Sequence, residues 1–206
     1  MKTPGPLTIS IAVLGHLPAG SMVKRSGAKP GDAIVVTGTI GDAALGLLMK
    51  REPKRIGFAG LEPQAQAHLT KRYLLPEPRN SLASALRTHA SAAIDVSDGL
   101  AGDLAKLAAA SGVSARIETK DAPLSAAARR VLDADPKALA TILTGGDDYE
   151  ILATVSDSQL DSLRKAATAL GIKLSVIGRT GKGEGLQIIG PDGAPFALDT
   201  LSFSHF

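Results

Sequence analysis

The 206-residue sequence contains no cysteine and no tryptophan, and it has only two tyrosines and four phenylalanines. The lack of cysteine excludes disulfide bonds, thiolate zinc sites, iron–sulfur clusters and a cysteine nucleophile. So few aromatic rings argue against a base-stacking nucleic-acid surface. Basic and acidic residues number 23 and 20, and this small excess is weak support for a polyanionic partner. We therefore expect no nucleic-acid partner.

Long hydrophobic runs are also missing, since no apolar stretch has the length needed to cross a bilayer. The basic and then apolar start of the chain resembles a signal peptide only superficially. Residues 7–14 read Leu-Thr-Ile-Ser-Ile-Ala-Val-Leu, and this alternation is typical of a strand rather than of a uniform signal core. We expect a cytoplasmic protein with no membrane partner.

The remaining chain alternates between strand-like and helix-like segments, and no internal repeat is visible. Strands are predicted at 6–15, 32–38, 92–96, 114–118, 149–155, 173–177 and 186–189. Helices are predicted at 43–50, 61–75, 81–89, 98–111 and 158–170, with two short ones between 119 and 143. This alternation predicts an α/β fold (α+β by some schemes), a layered sheet covered by helices.

A first acidic motif lies where a predicted strand ends and a helix begins, Asp95-Val96-Ser97-Asp98-Gly99-Leu100. Ser97 or Asp98 could cap the helix, although capping leaves Asp95 unexplained. Two carboxylates about 4 Å apart repel by roughly 1–4 kcal/mol in partly solvated surroundings, and a divalent cation would reverse that penalty. Oxygen ligands suit Mg²⁺. Capping and metal binding both remain open from the residues alone.

A second acidic motif reads Thr144-Gly145-Gly146-Asp147-Asp148-Tyr149-Glu150. Its two glycines allow a tight turn or the close approach of a ligand. The alternative is a solvated turn with Glu150 on the outer face of the following strand. Three acids in four residues weaken the solvated-turn interpretation, but from the motif alone it remains the favoured one.

Two further loops are candidates for anion binding. Residues 24–32, Lys-Arg-Ser-Gly-Ala-Lys-Pro-Gly-Asp, are basic but lack the spacing of a Walker loop, so a surface loop is the simpler interpretation. Residues 38–42, Gly-Thr-Ile-Gly-Asp, precede a predicted helix and could bind an anion there, but a turn in which the aspartate caps the helix is the simpler interpretation.

These motifs occur in one order, and the chain ends in Phe-Ser-His-Phe. Together they resemble the thiamine-monophosphate kinases of the aminoimidazole-ribonucleotide-synthetase superfamily. The Asp-x-Ser-Asp-Gly-Leu motif alone is typical of the superfamily, whereas its combination with Gly-Gly-Asp-Asp-Tyr-Glu and the chain end points to the kinases. The segments that carry the resemblance are 25–32, 36–42, 94–100, 145–151 and 203–206.

The resemblance implies ATP-dependent phosphorylation of thiamine monophosphate to thiamine diphosphate, with Mg²⁺ as cofactor and no covalent nucleophile. It implies that Asp95 and Asp98 are Mg²⁺ ligands and that Arg25 and Ser97 bind ATP. It also places Asp147 and Phe203 at the substrate. The family usually has glutamate at the first of these two positions and often tryptophan or tyrosine at the second.

The family has an additional amino-terminal domain with further metal-binding aspartates. By resemblance, residues 1–15 correspond to the last strand of that domain, and residues 16–206 correspond to the carboxyl-terminal ATP- and substrate-binding domain. We therefore expect homodimers in the full-length protein, through the amino-terminal domain and strand 7–14. For the 206 residues alone we expect weak or no kinase activity and self-association through the unpaired strand.

Three alternatives remain after this resemblance. One is another superfamily enzyme, such as a purine-pathway or selenophosphate synthetase. A second is a hydrogenase-maturation scaffold, a class that usually relies on a carboxyl-terminal cysteine, which this chain lacks. The third is a non-catalytic domain that binds Mg²⁺ and nucleotide.

Overall fold

A mixed six-stranded sheet organises the computed structural model, which describes residue 5 and residues 9–202. The strands are β1 (Ala33–Thr37), β2 (Ala92–Val96), β3 (Ser114–Glu118), β4 (Glu150–Val155), β5 (Leu174–Gly181) and β6 (Leu186–Ile189). Their order across the sheet is β2-β4-β1-β5-β3-β6. Neighbours are antiparallel except β3 and β6, which are parallel. The carboxyl ends of β1, β2, β3 and β6 therefore meet at one end of the sheet.

Seven α-helices cover this sheet within residues 9–202. They are α1 (Asp42–Arg51), α2 (Pro63–Leu74), α3 (Ala83–His89), α4 (Leu100–Ser111), α5 (Ala126–Ala134), α6 (Ala138–Thr144) and α7 (Asp157–Ala169). Short 3-10 turns lie at Ile56–Phe58, Asn80–Leu82 and Thr119–Asp121. Among the described residues, none of the helices has the length and apolar character needed to span a bilayer.

Two hydrophobic cores lie on the two faces of the sheet. The larger core joins alternate residues of β1 and β2 to the apolar sides of α1, α2, α4, α5 and α6. The smaller core joins the intervening strand residues to α3 and α7. This alternation follows from the two-residue period of a strand, which sends neighbouring side chains to opposite faces. The α/β prediction of a layered mixed sheet covered by helices is confirmed.

Most predicted elements are present with small differences in their bounds, but two differ in kind. Strand β5 continues to Gly181, beyond the predicted end at 177. A Cβ on Gly178 would lie 2.0 Å from the Arg116 carbonyl oxygen, so this glycine allows close approach to β3 instead of ending the strand.

The second difference is the predicted strand over 6–15, of which residues 6–8 lie outside the described residues. Residues 9–15 form no strand, and the side chains of Ile9, Ile11 and Val13 are exposed. In the part of the chain that the structure describes, this segment is hydrogen-bonded to no sheet edge, and a strand requires such a partner. The edge strand β2 instead contacts the segment that contains Lys24, whose carbonyl accepts a hydrogen bond from the Ala93 N–H at 3.2 Å.

Candidate functional site

The two acidic motifs meet at one end of the sheet, where β2 ends beside the start of β4. The Asp147 N–H donates to the Ser97 carbonyl at 3.0 Å, and the Tyr149 N–H donates to the Val96 carbonyl at 2.9 Å. Asp147 and Tyr149 both have positive φ values, 70° and 50°, which non-glycine residues adopt infrequently. The pairing of the two loops therefore holds Ser97 and Asp147 close together on an unusual backbone.

Glycine is required where these two loops touch. A Cβ on Gly146 would lie 2.2 Å from the Ser97 carbonyl oxygen, and one on Gly99 would lie 2.5 Å from the Thr144 carbonyl oxygen. Both distances are far inside van der Waals contact, and Gly99 also has a φ of +117°. The glycines of the two motifs thus serve the approach of one loop to the other.

The capping interpretation of Ser97 and Asp98 is wrong. Gly99 is the residue that caps α4, and within residues 9–202 no side chain caps this helix. Instead the Asp103 carboxylate, 1% exposed, accepts hydrogen bonds from the Ser97 N–H at 3.0 Å and the Asp98 N–H at 2.9 Å. Asp103 fixes the strand-to-helix turn from inside α4, which leaves the Ser97 and Asp98 side chains available for other contacts.

Asp98 is half-exposed and contacts a cation of the protein. The Lys106 ammonium donates to Asp98 at 2.5 Å and to Asp103 at 3.0 Å. These bonds raise the pKa of Lys106, with the Asp98 hydrogen bond as the main cause. The carboxylate of Asp98 is therefore already oriented towards a positive charge.

Asp95 lies on the other face of β2 from Ile94 and Val96, and its side chain is exposed. It lines a shallow cavity with Tyr149 and Arg79. Within the described residues its carboxylate accepts no hydrogen bond and forms no ion pair. Asp95 and Asp98 thus share one end of the sheet, Asp95 on the exposed face of β2 and Asp98 beside Lys106 of α4.

Tyr149 lies among the carboxylates of this end of the sheet. Its hydroxyl donates to Asp147 at 3.3 Å. Burial raises the pKa of the Tyr149 hydroxyl first, and the charges of Asp147, Asp95 and Asp98 raise it further. Asp147, Asp95 and Asp98 thus all act on the Tyr149 hydroxyl and disfavour its ionised form.

An apolar cavity of about 120 Å³ opens beside the paired loops. Ser97 and Asp147 line it from the paired loops, and α1 and α6 supply further lining residues, among them Leu47, Thr141 and the cationic Arg51. The volume is close to that of a cavity of about 150 Å³ that binds a benzene ring. The cavity is therefore of a size for one aromatic ring next to a carboxylate.

The second motif is not a solvated turn, and Glu150 does not lie on an outer face. Glu150 is 0% exposed. It accepts two hydrogen bonds from Arg79, at 2.5 and 2.7 Å, one from Arg72 at 3.0 Å and one from the Thr37 hydroxyl at 2.7 Å. Two guanidinium groups offset the cost of burying this carboxylate, which a strand period by itself could not reveal.

Asp148, also 0% exposed, binds the start of α1. Its carboxylate accepts from the Gly41 N–H at 2.7 Å and the Ala43 N–H at 3.3 Å. Burial raises the pKa of Asp148 to about 8, although these two N–H donors and Arg72 act in the opposite direction. The Asp148 side chain therefore occupies the position that an anion could take at the start of α1, and the predicted Asp42 cap is wrong, because the N-cap residue is Gly41.

Arg25 lies apart from Ser97 and Asp98. Its carbonyl accepts from the Ser111 hydroxyl at 2.8 Å, at the far end of α4, and its side chain is exposed. A helix of 12 residues is about 18 Å long, so the structure does not bring the Arg25 backbone to the paired loops. Phe203 lies outside the described residues.

The carboxylates present fit a Mg²⁺ ion that takes most of its ligands from elsewhere. No group of three or more His, Cys, Asp and Glu side chains in the described part of the chain is placed to hold a metal ion. Asp95 has a free, exposed carboxylate, and Asp98 faces an ammonium group. Mg²⁺ in phosphate sites commonly uses one or two carboxylates and completes its shell with water and substrate phosphates.

Comparison with known proteins places this arrangement in a family. Residues 29–190 match the family model described as AIR synthase related protein, C-terminal domain. The chain belongs to this family. The match contains both acidic motifs, so the paired loops lie within the family domain.

Two relatives of this family domain are named thiamine-monophosphate kinase. The protein of Caulobacter vibrioides is 42% identical over 206 residues, which cover 98% of this chain and 56% of the relative. The protein of Salmonella typhimurium is 42% identical over 206 residues, covering 99% of this chain and 61% of the relative. The chain therefore spans less than two thirds of the length of these relatives.

Solved structures agree with the fold. Thiamine-monophosphate kinase from Stenotrophomonas maltophilia has a TM-score of 0.77 at 37% identity, with 87% of this chain and 56% of that chain covered. AaThiL complexed with AMPPCP and TMP has a TM-score of 0.68 at 30% identity, with 89% and 54% covered. The Escherichia coli hydrogenase maturation protein HypE has a TM-score of 0.71 at 22% identity, with 92% and 56% covered, and this likeness shows the fold alone.

Several important residues of this AIR synthase related domain were not found from the sequence. Three side chains outside the two motifs form hydrogen bonds to motif residues, namely Asp103, Arg72 and Arg79. Asp103 lies six residues after Ser97 and in the first turn of α4, but the helix predicted over 98–111 put it in the second turn, so an acid at the helix start was not recognised there. For the arginines, which lie 71 and 78 residues from Glu150, no local pattern was available.

Proposed function

We propose that this chain supplies the nucleotide- and substrate-binding part of a kinase that converts thiamine monophosphate and ATP into thiamine diphosphate and ADP. The single observation that carries the proposal is the pairing of the Ser97 loop with the Asp147 loop beside an aromatic-sized cavity. The names of the relatives support it, and so does the solved relative in complex with AMPPCP and TMP.

The paired loops are suited to bind two substrates next to each other, one at each loop. Thiamine carries a cationic thiazolium ring and a neutral pyrimidine ring. Asp147, at the rim of the apolar cavity, would attract the cation, while the cavity wall would pack against one ring. Ser97, at the same rim, would hydrogen-bond the nucleotide. Phe203 would add a second aromatic surface at the thiamine end, as the family resemblance implies.

The reaction needs positioning more than covalent chemistry. An oxygen of the thiamine monophosphate phosphate attacks the γ-phosphorus of ATP, the bond between this phosphorus and the β–γ bridging oxygen breaks, and ADP leaves with the electron pair. Asp95 and Asp98 would hold Mg²⁺, which when bound neutralises phosphate charge. Lys106 already provides one positive charge beside Asp98. Arg25 would bind a nucleotide phosphate with its exposed guanidinium.

A homodimer is part of the same proposal. The family resemblance places the dimer contact in an amino-terminal domain and in the segment that contains residues 9–14, whose apolar side chains are exposed here. Such a contact would cover these side chains.

Isothermal titration with separate ligands tests the proposal. We expect AMPPCP binding that requires Mg²⁺, and thiamine monophosphate binding that exceeds binding of aminoimidazole ribonucleotide precursors. Asp147→Asn should weaken thiamine monophosphate binding about tenfold and leave AMPPCP binding nearly unchanged, because a neutral amide loses the attraction for the thiazolium. Asp95→Asn and Asp98→Asn should raise the Mg²⁺ concentration required for AMPPCP binding.

Two matched controls and a contrary result complete the design. Asp133 and Asp192 are exposed aspartates away from the paired loops, and their Asn variants should bind both ligands normally. Equal binding of aminoimidazole precursors and thiamine monophosphate would favour another superfamily enzyme. Mg²⁺-dependent AMPPCP binding with no thiamine monophosphate binding in the full-length protein would favour a nucleotide-binding module without catalysis.

A further inference from the structure

A basic pocket lies outside the paired loops, between the end of α2 and the turn before β5. We use this name for the cavity of about 250 Å³ that these segments enclose with the chain after β1. Its lining residues are Gly38, Thr39, His68, Lys71, Arg72, Glu77, Arg79, Gly171, Ile172 and Lys173. It shares no lining residue with the aromatic-sized cavity beside Asp147.

Arg72 is the unusual residue of the basic pocket. Its side chain is 5% exposed. One nitrogen, Nη2, donates to Glu150 and to the Asp148 carbonyl, each at 3.0 Å. Its Nε and Nη1 atoms are buried and have no hydrogen-bond acceptor among the described residues. A buried guanidinium with unsatisfied donors is costly, and an acceptor that enters the pocket would remove this cost.

The neighbouring acid does not satisfy these donors. The nearest carboxylate oxygen of Glu77 is 3.7 Å from Arg72 Nη1 and 3.8 Å from Arg79 Nη1, beyond hydrogen-bond distance. Glu77 is instead hydrogen-bonded to Lys71 at 3.0 Å. The half-exposed Glu77 carboxylate therefore lies near three cations, but it forms a hydrogen bond only with Lys71 and none with Arg72 or Arg79.

The charge of the pocket exceeds what its acids neutralise. Lys71, Arg72, Arg79 and Lys173 line it against Glu77 alone, with Glu150 behind the arginines. The remaining excess is two positive charges, and Asp42, which lies behind His68 and Thr39 and is hydrogen-bonded to both and to Ser125, reduces it to one.

We propose that the basic pocket is a binding site for a phosphate group, either inorganic phosphate or a phosphate monoester. A phosphate oxygen would accept from the free nitrogens of Arg72, and the ammonium groups of Lys71 and Lys173 would bind the outer oxygens. A phosphate group is attracted by this positive excess and has enough acceptors to reach cations from two chain segments. None of the site residues that the family resemblance implies, and none that the proposed reaction uses, lines this pocket.

Titration of inorganic phosphate into the 206-residue chain, without Mg²⁺ and at constant ionic strength, tests the site. We expect saturable binding of one phosphate, with changes in the amide NMR signals of Gly38, Gly171 and Lys173. Lys71→Ala and Lys173→Ala should each raise the Kd about three- to tenfold, since each removes one charged hydrogen bond. Glu77→Gln should lower the Kd, because it removes the competing carboxylate.

The controls separate this site from general ion binding. Lys182→Ala removes an exposed lysine at the opposite end of β5 from Lys173 and should leave the Kd unchanged. Glycerol phosphate should compete with inorganic phosphate if the site accepts monoesters, and its failure to compete would restrict the proposal to the free ion. The proposal is overturned if sodium chloride and phosphate act equally, if the Lys71→Ala, Lys173→Ala double variant binds normally, or if the NMR changes map to the Ser97 and Asp147 loops alone.

Discussion

At the scale of single residues, the neighbouring acids of the second motif differ in their surroundings. Asp147 is partly exposed at the cavity rim, whereas Asp148 and Glu150 are both fully buried. Asp148 binds backbone N–H groups of α1, and Glu150 binds two arginines. Acids of one short motif thus differ in role, because burial leaves Asp148 and Glu150 to hold the loop and leaves Asp147 partly exposed for the proposed ligand contact.

Burial of Asp148 predicts a pH-dependent stability. Its pKa is about 8 in the folded chain, against an ordinary value of 3.8. Between these values the folded state keeps a proton that the unfolded state has lost, so the free energy of unfolding should fall as pH rises towards 8. One proton gives a slope of at most about 1.4 kcal/mol per pH unit. Asp148→Asn should reduce this slope in urea denaturation measured across the window.

Asp133 provides the matched control, because it is an exposed aspartate on α5. Its Asn variant should keep the slope of the unaltered chain. An unaltered chain whose stability does not change over this pH range, or an Asp148→Asn variant that retains the full slope, would contradict the buried protonated state.

At the scale of helices and strands, the sequence predicts most of the structure. Strands β2, β3 and β6 and the positions of all seven helices of residues 9–202 follow from hydrophobic period and from glycine and proline positions. The extension of β5 through Gly178 was not predicted, because a glycine inside a strand pattern resembles a break. The pairing of the two acidic motifs also escaped sequence reasoning, since their residues are about 50 positions apart in the chain.

Close contact between the two motif loops predicts that Gly146 cannot be replaced. An added methyl group would lie 2.2 Å from the Ser97 carbonyl oxygen, so Gly146→Ala should separate the loops. We expect a loss of about 1–3 kcal/mol in the free energy of unfolding, typical of overpacking. Binding of AMPPCP or thiamine monophosphate should weaken as well, measured by titration at a temperature where the variant is folded.

A matched glycine tests whether the effect is local. Within the described residues no atom lies within 4 Å of a Cβ built on Gly15. Gly15→Ala should therefore leave both stability and ligand binding unchanged. Unaltered binding in folded Gly146→Ala would mean that contact between the loops is not needed for the site.

The whole molecule combines a well-packed sheet with an uncovered apolar segment. Both faces of the sheet are covered by helices, so its buried residues were partly predictable from strand and helix periods. The order of the strands was not predictable, because periodicity indicates which residues face inward and does not indicate which strands are neighbours. The segment over residues 9–14 has the period of a strand, yet it contacts neither core.

Exposure of this segment predicts concentration-dependent self-association. Ile9, Ile11 and Val13 are 74%, 82% and 86% exposed and alternate along the chain, so an extended conformation would place them on one face. Burying such a face against a second copy would remove it from water, at about 25 cal/mol per Å². Ile11→Thr combined with Val13→Thr should therefore lower the average mass in sedimentation equilibrium at high protein concentration. The thermal unfolding midpoint should stay unchanged, since these side chains belong to neither core.

Val176→Thr, on β5 and packed against the smaller core, is the contrasting variant: it should lower the midpoint without changing the mass. Self-association of equal strength in the Ile11, Val13 double variant would show that another surface mediates it.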